Sequence, residues 1–323
     1  MSHNIEIRNG RAMTFSVGEV PWHGLGKVLE NPLTAKEAIK EAGLDWEVVL
    51  EPLITKNTRR EVTFKKAVVR TDYNEVLGVV GNIYTPIQNS EAFDFFDSVV
   101  GEGQAIYHTA GSLQNGKRIW ILAKLTGSPI TVTKSDVVEK YLLLTNSHDG
   151  SSALRMFFTP VRVVCNNTLN VALQKGVREG ISIRHSTNIK QKVQEARRVL
   201  GISLKYYEVF QDQVKLLSKK SITQSILNDY LRELFPTNKE AFDDTRVLNM
   251  RAEVEEVFNS PRNTLPGIRG TAWAMFNAVA EYADHWKTFR GGSADNRLRS
   301  IWFGSSARLK QKAFEKALEI AKV

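Results

Sequence analysis

The sequence predicts an α+β protein: an N-terminal mixed or antiparallel sheet with helices on one face, then a mainly helical region. Three observations lead there. Between residues 34 and 187, short apolar runs alternate with turn residues at the spacing of strand hairpins. Two stretches with helical period, Ala35–Ala42 and Glu91–Val100, interrupt those strands. After residue 188 the pattern changes to long helical segments, stopped by Pro236 and loosened at Arg290-Gly291-Gly292-Ser293. The expected organisation is an arm over 1–33, a sheet domain over 34–187 and a helical, basic domain over 188–323.

The arm is polar and irregular, and Gly24 and Gly26 around Leu25 predict a tight turn that tucks Trp22 and His23 against the body. Thr34 with Glu37 three residues on makes a capping box for the first helix, which Gly43 ends. Trp46–Thr55 is a strand in which Pro52 points to an edge. Thr63–Thr71 and Val76–Gly81 form a hairpin around Asp72-Tyr73-Asn74-Glu75. Asn89 or Ser90 caps the second helix, with Phe93, Phe96 and Val100 on one face. A second hairpin joins Gln104–Ser112 to Lys117–Leu125 through Gln114-Asn115-Gly116, and Val137–Thr145 with Arg155–Val164 makes a third pair.

Cys165-Asn166-Asn167-Thr168 opens a short helix, and Ile181–His185 is a strand. Asn188 then caps a long helix whose apolar residues (Ile189, Val193, Ala196, Leu200, Tyr207, Phe210, Val214, Leu217) alternate in steps of four and three, with Ser203 in the gap. That seam packs on another helix or on a second copy of the chain, and self-association through 189–217 is expected. Helices follow at Ile222–Leu234, Thr245–Asn259 and Gly270–Phe289, the last apolar on most sides and therefore buried.

Of the 323 residues, 42% are apolar and 24% charged, ordinary proportions for a globular chain. No run of eighteen apolar residues predicts a membrane span, and the N-terminus lacks the apolar core of a secretory signal. A lone cysteine cannot form an internal disulfide, so a reducing cytoplasm is the expected compartment. The net charge of +9 is uneven: 21 bases against 19 acids over 1–185, but 23 against 16 over 186–323. Such a surface draws polyanions by counterion release.

Several segments taken together resemble one family. They are Trp22-His23-Gly24-Leu25-Gly26, Ala42-Gly43-Leu44-Asp45-Trp46, Tyr84-Thr85-Pro86-Ile87-Gln88-Asn89 and Gly116-Lys117-Arg118-Ile119-Trp120. Asn146-Ser147-His148-Asp149-Gly150-Ser151, the run from Pro160 to Leu169 and Trp302-Phe303-Gly304 continue them. The chain resembles the phage/plasmid-like proteins, a family of unknown function carried by phages, plasmids and related elements. That resemblance implies a mobile-element context and carries over no catalytic or binding residue. Over residues 34–125 the topology is also similar to single-strand annealing proteins of the Rad52 type, a likeness of fold alone.

Basic residues beside aromatics carry the leading functional expectation, a protein that binds nucleic acid, single-stranded DNA above all, in recombination or replication. The expected contacts are Arg59, Arg60, Lys65 and Lys66 around the first hairpin, Lys117 and Arg118 before Trp120, Arg155 and Arg162 on the third pair, and Arg297, Arg299, Arg308 and Lys310 in the tail. Tyr73, at a hairpin tip, is a candidate stacking group. The alternative is a metal-assisted phosphoesterase with a pocket around Asn146, His148, Asp149, Arg162 and Asn166. However, adjacent strand residues point to opposite faces, which is poor geometry for a His148–Asp149 dyad. Cys165 would need a histidine, His148 or His185, brought to it by folding. A third reading is a protein that engages a host factor. Six scattered histidines and one cysteine offer no metal-ligand spacing, and no cofactor is expected outside a Mg²⁺ ion in the phosphoesterase reading.

Overall fold

The computed structural model describes residues 5–18, 25–100, 104–162, 167–168, 181–185, 189–237, 245–287, 300–302 and 304–322. The fold is α+β, with strands in the N-terminal part and helices concentrated in the C-terminal part. It divides into two compact units that interleave along the chain: Met1–Gly127 with Tyr141–Phe158 and Gly176–Ser203, and Ser128–Lys140 with Thr159–Lys175 and Leu204–Val323.

The first unit begins with strands where the sequence reads as irregular. β1 (Ile7–Arg8) and β2 (Arg11–Ala12) form a small hairpin, β3 (Thr14–Val17) pairs antiparallel with β8 (Ala105–Leu113), and β4 (Lys27–Leu29) lies parallel to β3. These strands are too short to show an alternating pattern, and Trp22 and His23 lie outside the described residues. α1 (Ala35–Glu41) carries the expected capping box, Thr34 accepting from the Glu37 amide while Glu37 accepts from Thr34. The order β12 (Leu154–Arg162), β11 (Asp136–Ser147), β9 (Arg118–Leu125), β8 (Ala105–Leu113), β3, β4 makes the large sheet, with β14 (Ile181–Ile183) alongside β12. α1 packs against β3 and β8 and against α2 (Asn89–Val100), whose Phe93 and Phe96 are buried.

A separate antiparallel sheet, β5 (Val48–Ile54), β6 (Glu61–Arg70) and β7 (Glu75–Gly81), completes this unit. β5 is an edge strand, as Pro52 indicates. Its Val48 amide and carbonyl are both taken by the side-chain amide of Gln88, which blocks further strand addition at that point. The register slips between Val68 and Val69, so Leu77 becomes an extra residue and turns into the core with Val80.

In the second unit, α6 (Ala272–Glu281) is buried along its whole length, as its apolar circumference requires, and runs into a π-helical turn at Tyr282–Trp286. α5 (Thr245–Phe258) and α7 (Ser305–Lys322) pack on it and α4 (Gln224–Leu234) packs on α7, while Thr223 caps α4 and Thr271 caps α6, their side chains accepting from the Ile226 and Ala274 amides. From residue 204 onward, α3 (Val193–Lys219) belongs here too. Tyr207, Phe210, Val214 and Leu217 of its seam are buried, and the Phe210 ring meets Trp273 and Phe314. From Tyr207 on, the seam packs within the chain, one of the two arrangements its spacing allows.

β10 (Ile130–Thr133) pairs with the start of β11, where Asp136 accepts from the Trp273 indole at 2.8 Å. β13 (Asn167–Thr168) pairs with Val161 and Arg162, so these two residues form a strand and do not open a helix. Among the described residues no helix is long and apolar enough to cross a membrane.

Candidate nucleic-acid interface

The β5–β6 hairpin forms a cationic ribbon. From Pro52 to Lys66 the chain carries Lys56, Arg59, Arg60, Lys65 and Lys66 against one acid, Glu61. All five bases are exposed, and none forms an ion pair among the described residues. Thr55 builds the turn: its amide donates to the Arg60 carbonyl at 2.9 Å, its hydroxyl accepts from the Arg60 amide, and its carbonyl accepts from Arg59. That closure forces Arg59 to φ +56, a left-handed conformation a long side chain rarely occupies.

Lys66 sits opposite Pro52 and Val80, and Lys65 opposite Gly81, so the neighbouring lysines present charge on both faces. Phe64, in the stretch of β6 where the register with β5 breaks between Pro52 and Ile54, is 67% exposed, and Ile54 at the turn is 60% exposed. Asn82 donates to the Thr63 carbonyl at 2.6 Å, which fixes the strand just before Phe64.

Where β6 meets the core, sequence reasoning missed its most connected residue. Arg70 is buried, gives Nη1 to Glu6 at 2.6 Å, and grips Asp72 with Nε and Nη2 at 2.6 and 2.8 Å. Its guanidinium lies 4.2 Å from the Trp46 ring centre. The pairing with Glu6 spans 64 positions, a separation no local pattern reports. Gly116, at φ +91, leaves room for this group, since a Cβ there would stand 2.8 Å from Arg70 Nη1. Tyr73 has the Arg8 guanidinium 4.4 Å above its ring and Arg70 at 5.2 Å. The expected stacking face of Tyr73 is therefore already engaged.

The other expected contacts scatter. Lys117 and Arg118 are half-buried, and Arg118 donates to the Ser151 hydroxyl. Arg155 is exposed on β12 opposite Ser182. Arg308 is exposed in the first turns of α7. Lys310 corrects the sequence reading: it is fully buried and bonds Asp284 at 2.6 Å, so no phosphate reaches it. Burial pushes its ammonium below the usual lysine range although Asp284 opposes this. Its place on one helical face with Phe314 and Ala317 was the available signal. The Arg162 side chain, Cys165, Asn166, Arg297 and Arg299 lie outside the described residues.

The alternative site has a different geometry from the one expected. His148 is wholly buried against Trp46, with ring centres 5.2 Å apart, and its Nε2 meets Asn89 Oδ1 at 2.8 Å. Asn89 uses its amide nitrogen on the Leu44 and Trp46 carbonyls, so Oδ1 accepts and His148 Nε2 carries the proton. Asn89 is thus not a helix cap; it is a clamp beneath α2. Burial, with help from nearby His185 and Arg70 and against Asp149, lowers His148 to about 3. His185 stacks flat on Tyr84 at 4.7 Å, and its own burial lowers it to about 4. Both imidazoles are neutral near pH 7.

Asp149 serves its own turn, accepting from the Ser147 hydroxyl at 2.5 Å and the Ser151 amide at 2.9 Å. Burial opposes its ionisation, but those bonds and Arg118 hold the carboxyl below the usual range. His148 and Asp149 therefore form no dyad, in line with the alternation of a strand. Among the described residues no group of three His, Cys, Asp or Glu can hold a metal ion.

A family model described as a domain of unknown function (DUF932) matches residues 76–302. No curated protein and no solved structure matches the chain.

Proposed function

We propose that this chain, which belongs to the family described as a domain of unknown function (DUF932), is a non-enzymatic nucleic-acid-binding protein that grips the phosphate backbone with its β5–β6 ribbon. One observation carries the reading: five exposed bases against one acid within fifteen residues, with no ion pair among the described residues to neutralise them. Uncompensated cations on a projecting hairpin gain most from a polyanion, because binding releases its condensed counterions. Single-strand binding or annealing during replication or recombination of a phage or plasmid is the concrete form.

The phosphoesterase reading loses support, since His148 is out of solvent and tied to Asn89. The test is a salt titration with fluorescent oligothymidylate. Wild type binds at low salt, and log affinity falls steeply with log salt. Changing Arg59, Arg60, Lys65 and Lys66 together to Ala lowers that slope by up to about 3, at roughly 0.7 per lost phosphate contact. An unchanged slope removes the ribbon from the interface. Absence of any binding at low salt ends the proposal.

A further inference from the structure

We infer that Phe64 is a stacking platform for an unstacked nucleobase, so that the ribbon takes single-stranded and not duplex nucleic acid. The inference rests on the nucleic-acid reading above and assigns the ligand class within it. Three aromatic side chains are strongly exposed among the described residues: Phe64 at 67%, Trp286 at 57% and Tyr73 at 47%. The Tyr73 ring already carries the Arg8 guanidinium 4.4 Å from its centre, and Trp286 belongs to the helical unit. Phe64 lies between the turn cations Arg59 and Arg60 and the lysines 65 and 66 of the same strand.

A phenylalanine two-thirds in water contributes little to folding, because most of its apolar surface is not removed from water. Its flank is cationic, which disfavours an apolar protein partner of basic or neutral rim and favours an anion that also offers a flat apolar face. A nucleobase next to its phosphate is such a group. In a duplex those faces are already stacked inside the helix, whereas a single strand presents them. The backbone at Phe64 is held by the ladder from Lys65 onward and by Asn82 on Thr63. The backbone is thereby held on either side of the ring, which reduces the ordering cost of stacking.

The experiment compares wild type, Phe64→Leu and Phe64→Trp for binding to oligothymidylate and to a duplex of equal length across a salt series. Phe64→Leu is expected to weaken single-strand binding by about 5- to 150-fold, the range of one base–aromatic stack. Its salt slope stays at the wild-type value, because no cation is lost. Phe64→Trp keeps the affinity, and its indole fluorescence falls when the single strand binds. Duplex affinity is the same for all three. Equal single-strand affinity of wild type and Phe64→Leu overturns the inference while leaving the cationic interface standing. So does an equal loss on single strand and duplex. A change of particle mass in Phe64→Leu with unchanged oligonucleotide affinity assigns the ring to a protein contact and also overturns it. Wild type that binds no oligonucleotide at low salt overturns both readings.

Discussion

Arg70 Nη1 stands 2.6 Å from Glu6 Oε1, with both side chains out of solvent. The pair joins the N-terminal hairpin to the end of β6, and Ser112 and Arg8 also bond the Glu6 carboxylate. A buried charge that loses its counter-ion costs about 3–5 kcal/mol. Arg70→Met is expected near the lower end of that range, about 3 kcal/mol, because Arg8 remains on Glu6. Arg70→Lys keeps the charge but loses the fork on Asp72, and falls between. Urea unfolding followed by circular dichroism measures both, and a loss below about 1 kcal/mol for Arg70→Met refutes the role.

Local chemistry was legible and distant pairing was not. The Thr34–Glu37 box, the Asn115-Gly116 turn with φ +56 and +91, and the edge position of Pro52 depend on neighbours within four residues. The ribbon's charge was equally visible, because charge requires no fold to be counted. Glu6 beneath Arg70 and His185 beside His148 depend on strand order, which one sequence does not specify. Lys310 shows the reverse error: a basic residue in a basic tail reads as surface until its helical face is drawn, and then Phe314 and Ala317 lie beside it. The short strands β1 to β4 were illegible because two to four residues carry no period.

Gly78 on β7 faces the loop after β11 so closely that an added Cβ would meet the Asp149 Cα and carbonyl at 2.7 Å. Backbone cannot withdraw as a flexible side chain does. Gly78→Ala is therefore expected to destabilise the protein by about 1–3 kcal/mol, the range for overpacking a close contact. Gly81 at the end of the same strand has open space around it, so Gly81→Ala serves as the comparison and stays within about 1 kcal/mol of wild type. Equal midpoints for the two variants in urea would contradict the packing.

His148 and His185 titrate near 3 and 4 in the folded protein, below the 6.5 of a free imidazole. Between those values and 6.5 the unfolded chain binds more protons than the folded one. Stability from this source is therefore complete above about pH 6.5 and falls as the pH drops toward 4. The carboxylates of Glu37, Glu75 and Asp149, also held low, add to the loss at the acid end of that window. His148→Gln retains an amide donor for Asn89 and cannot take up the proton. Thermal midpoints measured from pH 7 to 4.5 should decline less steeply in that variant, and parallel declines would exclude His148 as a source.

Arg59 occupies φ +56 at the tip of the ribbon, where the left-handed conformation costs a residue bearing a Cβ roughly 1–2 kcal/mol and glycine almost nothing. Glycine loses part of that gain through its greater freedom when unfolded. Arg59→Gly is accordingly expected to raise stability by about 0.5–1 kcal/mol. The same change removes one exposed cation, so oligonucleotide affinity drops and the salt slope shrinks by about 0.7. Lys310→Met is the opposite case: it disturbs a buried ion pair, so stability falls while the slope is unchanged. Opposed shifts of stability and binding in Arg59→Gly identify a position where the fold tolerates strain to hold a guanidinium at the interface. A stabilised variant with wild-type affinity and slope would show that the strain serves no contact with nucleic acid.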